Sequence, residues 1–246
     1  MTDTTILDRF LAGARIDAAV WALRPDYRAL LVAAGGLVPG PDDQDSEELL
    51  RAAETSAHEA LREQSVDQLP HVAAWREAYR GFGAKPQRTR NSMEALIRRA
   101  ETGLPRVNRL TDIYNAVSVL HQLPLGGEDL TRYTGVPRLV RATGAEPFDT
   151  TAAGGPVVEH PDAGEVVWCD EAGVTCRRWN WRQARRTQLR DETTTALFIF
   201  DALEPMSNAA LQAAADDLCT HLHRLGPDIR IARRVLSADT VQPQGD

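Results

Sequence analysis

The tetrapeptide Asp170-Glu171-Ala172-Gly173 separates an apolar run, Val166-Val167-Trp168-Cys169, from a second run that opens on Val174 and Cys176. A Gly-containing turn between two extended runs predicts a β-hairpin over residues 165–182, and a hairpin commits both flanks to one sheet. The segment after the turn is unusual in composition. Cys176-Arg177-Arg178-Trp179-Asn180-Trp181-Arg182-Gln183-Ala184-Arg185-Arg186 holds two of the five tryptophans and five arginines in eleven residues. Strand side chains alternate faces, so Val174, Cys176, Arg178, Asn180 and, with continuation, Arg182 share one face. Thr175, Arg177, Trp179 and Trp181 take the other. The first face changes from small and apolar to polar and cationic, as a strand does when it runs from a core to the floor of a polar pocket. A lone Arg–Trp pair can serve stability alone on an exposed strand. A cluster this dense points to a binding surface, because Trp and Arg dominate contact sites.

The chain of 246 residues is 43% hydrophobic and 26% charged, an ordinary globular composition with enough length for a sizeable core. Its formal net charge of −7 argues against wholesale nucleic-acid coating. Charge is nonetheless uneven. Residues 42–48 are acidic, whereas Lys85 to Arg90, Arg98-Arg99, Arg177 to Arg190 and Arg230 to Arg234 are basic. The start, Met1-Thr-Asp-Thr-Thr-Ile-Leu-Asp, lacks a basic segment followed by an apolar one, so no signal peptide and a cytoplasmic location are expected. No run approaches the ~20 apolar residues needed to cross a bilayer. The three cysteines, Cys169, Cys176 and Cys219, form no CxxC or Cys/His ligand spacing and are expected to be reduced packing residues. No metal or other cofactor is expected. His221 and His223, two apart on a helix, point in different directions.

Along the chain, residues 16–37 read as two short pieces of strand joined near the turn signal Arg24-Pro25-Asp26. Helices are expected from Ser46 to about Gln64, from Leu69 to Gly81, and after Ser92, the last read with Ser92 as N-cap. The next helix spans Asn108 to Gln122. Leu110, Val117 and Leu120 form its apolar stripe, and Asp112, Asn115 and Ser118 recur at intervals of three. Wet helix faces favour Glu, Lys and Arg, so this short polar stripe reads as a pocket wall. Asn108 reads as N-cap or as part of that wall. Pro124–Asp129 reads as a turn, Arg138–Arg141 and Glu192–Phe200 as strands, Met206–Leu225 as an amphipathic helix, and Asp228–Leu236 as a closing strand. Helices and strands interleave without a βαβ period, which predicts an α+β fold.

Several of these segments carry a resemblance. Arg90-Asn-Ser92-Met-Glu-Ala-Leu96, Leu104-Pro-x-x-Asn108-x-Leu-x-Asp112-x-x-Asn115, Pro124-Leu-Gly-Gly-x-Asp129 and Gly164-Glu165-Val-Val are similar to the B3/B4 domain of bacterial phenylalanyl-tRNA synthetase β chains. Arg177–Arg182 resembles the free-standing members of that family. The resemblance covers about residues 75–203. It implies one B3/B4-like domain over 1–246, with mixed or antiparallel sheets flanked by helices, residues 1–70 leading in and 204–246 closing. It also implies a trans-acting deacylase of mischarged tRNA, with Asn115 in the editing pocket. Two departures stand out. The family's Pro-Leu-His pattern has a histidine where this chain has Gly126, and its Gly-rich pocket segment is replaced by Arg177–Gln183.

On this reading the catalytic residues are Asn115 and Asn180, which hold the α-amino group or the water, and Asp112, which orients Asn115 or pairs the ammonium, while Arg178 or Arg182 holds the terminal phosphate or the carbonyl oxygen. Arg178, Trp179, Trp181, Arg182 and Asn108 bind substrate. Arg88 and Arg90, on a loop, and Arg185 and Arg186 contact tRNA phosphates. Ester hydrolysis needs only a placed water and donors for the developing oxyanion, not a nucleophilic triad. A non-catalytic tRNA- or RNA-binding module and a small-molecule-binding derivative are the competing functions.

Overall fold

Thr195–Ala202 is buried at all of its positions, and so is Arg28–Gly35. Two such strands must sit in the middle of a sheet with both faces covered. The computed structural model, which describes residues 4–240, shows this arrangement. In chain order the elements begin with α1 (Thr4–Gly13), β1 (Arg15–Ile16), α2 (Ala18–Leu23), β2 (Arg28–Gly35), α3 (Gln44–Glu63) and α4 (Pro70–Gly81). They continue with α5 (Ser92–Ala100), α6 (Arg109–Leu120), β3 (Leu125–Asp129), β4 (Arg138–Arg141), β5 (Phe148–Ala152) and β6 (Gly155–Glu159). The series closes with β7 (Val166–Asp170), β8 (Gly173–Arg177), β9 (Arg182–Gln183), β10 (Thr195–Ala202), α7 (Asn208–His223) and β11 (Arg230–Ser237).

The fold is α+β. One sheet is antiparallel throughout, in the order β11-β2-β10-β3. A second, ordered β1-β4-β7-β8-β9, is mixed, with β1 parallel to β4 and the other pairs antiparallel. β5 and β6 make a separate hairpin. The antiparallel sheet buries Phe198 and Phe200 of β10 against residues of α6 and α7 on one face. Its other face, with Leu31 and Leu197, packs against helices α1, α3 and α4 and against Trp168 and Cys176 of the mixed sheet. Helix α6 has no wet side over Leu110–Val119, all buried.

The hairpin expected at residues 165–182 forms as β7 and β8 around the 170–173 turn. Asp170 shapes that turn by accepting from the N–H groups of Ala172 and Gly173. Gly173 sits at φ 135° with the Pro147 carbonyl 2.4 Å from where a β-carbon would be, so no other residue fits. Four readings need correction. Residues 18–23, read as strand, are the short helix α2, since a brief apolar run does not distinguish the two states. Pro124–Asp129, read as a turn, contributes the edge strand β3. Its Gly127 is required because Tyr114 and Leu189 occupy the space a side chain would need, at 2.7–2.9 Å from an added β-carbon. The N-cap of α5 is Asn91, which accepts from Glu94 N–H, and Ser92 is the first helical residue. Likewise Asp43 caps α3, with Ser46 completing a capping box.

Candidate functional site

β8 ends at Arg177, and Arg178–Trp181 form a turn rather than further strand. Arg178 and Trp179 adopt left-handed backbone, φ 48° and 68°, which costs non-glycine residues energy. Burial of Trp179 offsets the cost. Its ring is fully buried, edge-on to Tyr27 at 4.8 Å and to Trp75 at 5.2 Å between centroids. The alternation expected through Arg182 therefore breaks at Arg178. Trp179 becomes core, Arg178 goes to one side of the turn, and Asn180, Trp181 and Arg182 go to the other.

On that other side lies a cavity of about 300 Å³, bounded by α5, α6, β3, β10 and the turn, with Asn115, Gly126, Glu128, Trp181, Arg182 and Asp201 among its lining. Volumes of this order suit a small ligand group. Ile199 pairs with Gly126 and Leu197 with Glu128 in the β10–β3 ladder, so Gly126, Glu128, Ile199 and Asp201 share one face of the sheet. An added β-carbon at Gly126 would meet only Gln183 Nε2, at 3.3 Å. That amide lies over the glycine and donates to the Gly127 carbonyl at 2.8 Å.

The cavity floor is a fixed polar network. Asp201 accepts from the Tyr27 hydroxyl and from Asn180 Nδ2 at 3.3 Å, and Asn180 Oδ1 accepts from the Tyr79 hydroxyl at 2.9 Å. The Asn180 carbonyl also accepts from Ser92 N–H at 2.9 Å, which fastens the turn to the start of α5. Glu128 accepts from the Tyr133 hydroxyl through Oε2. Burial pushes the carboxyl groups of both Asp201 and Glu128 up to about 7, against the opposing pull of their hydroxyl donors. Cys176 also lines the space, but burial raises its thiol well above the ordinary range, so it is no thiolate nucleophile. Several polar groups are uncommitted, among them the indole N–H groups of Trp168 and Trp179 and the Arg99 guanidinium. Among the described residues the Asn115 amide makes no hydrogen bond, and Ser92 Oγ is buried without a partner. No group of three or more His, Cys, Asp or Glu side chains converges as a metal site among the described residues.

The structure brings Asn115, Asn180, Trp179, Trp181 and Arg182 to this one cavity. It does not bring Asp112 or Asn108. Asp112 turns to the start of α6, where Oδ1 accepts from Val107 N–H at 2.9 Å, and burial raises its carboxyl to about 6. Asn108 is the N-cap of α6, accepting from Thr111 N–H and donating to the Leu189 carbonyl. Arg178 faces away, bonded to the Thr89 hydroxyl, with its guanidinium 4.6 Å from the Trp181 ring centroid. Arg88 and Arg90 are exposed on the α4–α5 loop. Arg186 is committed internally, gripping both oxygens of buried Asp170 at 2.8 and 2.9 Å, and Arg185 pairs with Asp149 at 3.1 Å. Both side chains thus fasten the loop after β9 to other segments of the fold.

Sequence reasoning passed over Asp201, Glu128, Tyr27 and Tyr79. A signal existed for the first, an acid closing the apolar run Leu197–Phe200. Glu128 lay inside a segment read as a turn.

The B3/4 domain model matches residues 74–225, more than half of the chain. No curated protein matches the sequence. A crystal structure of an N-terminal fragment of the phenylalanyl-tRNA synthetase β-subunit from Pyrococcus horikoshii aligns with a TM-score of 0.44 and 11% identity, over 95% of this chain and 54% of that one. The present chain thus spans about half the length of that fragment. No helix among the described residues is long and apolar enough to cross a membrane.

Proposed function

Because this chain belongs to the B3/4 domain family, we propose that its cavity receives the aminoacylated 3′ end of a tRNA and hydrolyses the ester. One observation carries the reading. An amide without a partner, Asn115, faces the same cavity as two buried carboxyl groups, with Trp181 and Arg182 lining it as well. Asn115 Nδ2 donates to the ester carbonyl oxygen and strengthens its hold as charge develops there. Glu128, with only one oxygen held by Tyr133, accepts a proton from the attacking water, a task suited to a carboxyl group raised to about 7. The water oxygen bonds to the carbonyl carbon, and the ribose oxygen leaves with the proton returned from Glu128. The products are a free amino acid and an intact tRNA. Asp201, with both oxygens engaged, holds Asn180 and through it the turn that shapes the wall. Arg182, half-exposed, and Arg99, exposed, are the cations that line this cavity.

A second reading, binding of aminoacyl-tRNA without turnover, draws on Gly126, which gives the cavity no side chain where the resembling synthetases have histidine. Incubating the purified protein with a panel of mischarged tRNAs separates the two. Release of the amino acid from at least one member, well above its spontaneous rate, is the expected result. Protection of the ester by the protein would favour binding alone.

A further inference from the structure

A second cavity, of about 430 Å³, opens on the side of the Arg178–Trp181 turn to which Arg178 points, with Lys85, Arg88, Thr89, Asp162, Glu165 and Arg178 in its walls. Its charges are unequal in availability. Glu165 is buried and already consumed, because Arg177 donates to Oε1 at 2.9 Å and to Oε2 at 2.7 Å, while Arg178 N–H donates to Oε1 at 3.0 Å. Asp162 stands exposed at the rim, 3.9 Å from Arg178 Nη2. The Arg178 guanidinium is steadied by buried Thr89, whose hydroxyl accepts from Nη1, and by Glu165, whose Oε2 lies 3.6 Å from Nε. Lys85 and Arg88 come from the α4–α5 loop, and among the described residues their side chains make no hydrogen bond or ion pair. Two unpaired cations and one preset guanidinium therefore face a pocket whose buried carboxylate is neutralised from behind.

The geometry points to an oxyanion site here, occupied by a phosphodiester of the RNA strand whose 3′ end enters the first cavity. The identity of that strand rests on the proposed function, and the anion chemistry rests on the cavity itself. Adjacency favours one ligand reaching both spaces. Arg178 lines the second cavity and Asn180 the first, and two residues span at most about 7.6 Å between Cα atoms. The two cavities thus flank one short turn. Trp181, half-buried in the wall of the first cavity with its ring 4.6 Å from the Arg178 guanidinium, is a flat surface for a base.

The test uses the full chain, titrated separately with inorganic phosphate, with adenosine, and with a trinucleotide ending in cytidine-adenosine. Wild type should bind the trinucleotide. The Lys85→Ala/Arg88→Ala variant should bind it about ten- to a hundredfold more weakly. Its log–log salt slope should flatten by about 0.7 for each phosphate that is no longer neutralised, with adenosine binding and melting temperature unchanged. The Arg9→Ala/Arg62→Ala variant removes equal charge from exposed positions elsewhere and should bind as wild type does. Equal trinucleotide affinity in wild type and Lys85→Ala/Arg88→Ala would overturn the proposal. So would an equally weakened Arg9→Ala/Arg62→Ala variant, no trinucleotide binding by wild type, or a weakening confined to free phosphate. Absence of tRNA hydrolysis by wild type would count against the proposed function alone, because none of these titrations depends on turnover.

Discussion

Asp201 sits at 2% exposure with its carboxyl raised from 3.8 to about 7, chiefly by burial. Between those pH values the folded protein keeps a proton that the unfolded chain has released. The stability linked to Asp201 is therefore fully present below about pH 4 and is lost as pH rises through about 7. Asp201→Asn abolishes that ionisation, so its melting temperature should fall less than that of wild type between about pH 5 and about pH 8. A residual slope should remain from Glu128, which is raised to about 7 as well. Parallel slopes for variant and wild type would mean that Asp201 is already ionised in the folded protein. At this scale some of the site was legible. Asn115 stands out because a short amide recurs with Asp112 and Ser118 on a helix that otherwise offers apolar residues. The fate of Asp112 was not legible, because a first-turn carboxylate serves the helix start and a pocket equally well until the preceding loop is placed.

The turn over Arg178–Trp181 decides the shape of both cavities, and it was hidden for a physical reason. Left-handed backbone normally advertises itself through Gly or Asn. Here Arg178 and Trp179 take it, and long-range packing of one ring against Tyr27, Trp75 and Phe82 enforces it. Trp179→Ala should accordingly cost about 3–5 kcal/mol in denaturant unfolding, as expected for a fully buried tryptophan. Trp181→Ala, at a half-buried position, should cost clearly less while weakening ligand binding. Similar costs for the two would show that Trp179 is no anchor. The β7–β8 hairpin could be read ahead because its signals are local, a turn and two apolar flanks. β3 could not, since its two glycines imitate a turn and their reason, the Tyr114 and Leu189 side chains, lies in other elements.

Pairing of β3 with β10 brings Glu128 and Asp201 to one face from positions 73 residues apart. No pattern in the chain foretells that pairing, so the buried acids of the floor emerge only from the assembled molecule. The proposed function holds that Asn115 supplies a donor to the reacting ester while the phosphates are held elsewhere, on Lys85, Arg88 and Arg182. The most direct test is single-turnover hydrolysis of one mischarged tRNA by wild type and by Asn115→Ala, with tRNA affinity measured in parallel. Removal of a positioned transition-state donor predicts a rate constant lower by ~10²–10³-fold with affinity nearly intact. Equal rate constants for the two proteins on a tRNA that wild type deacylates would contradict the account.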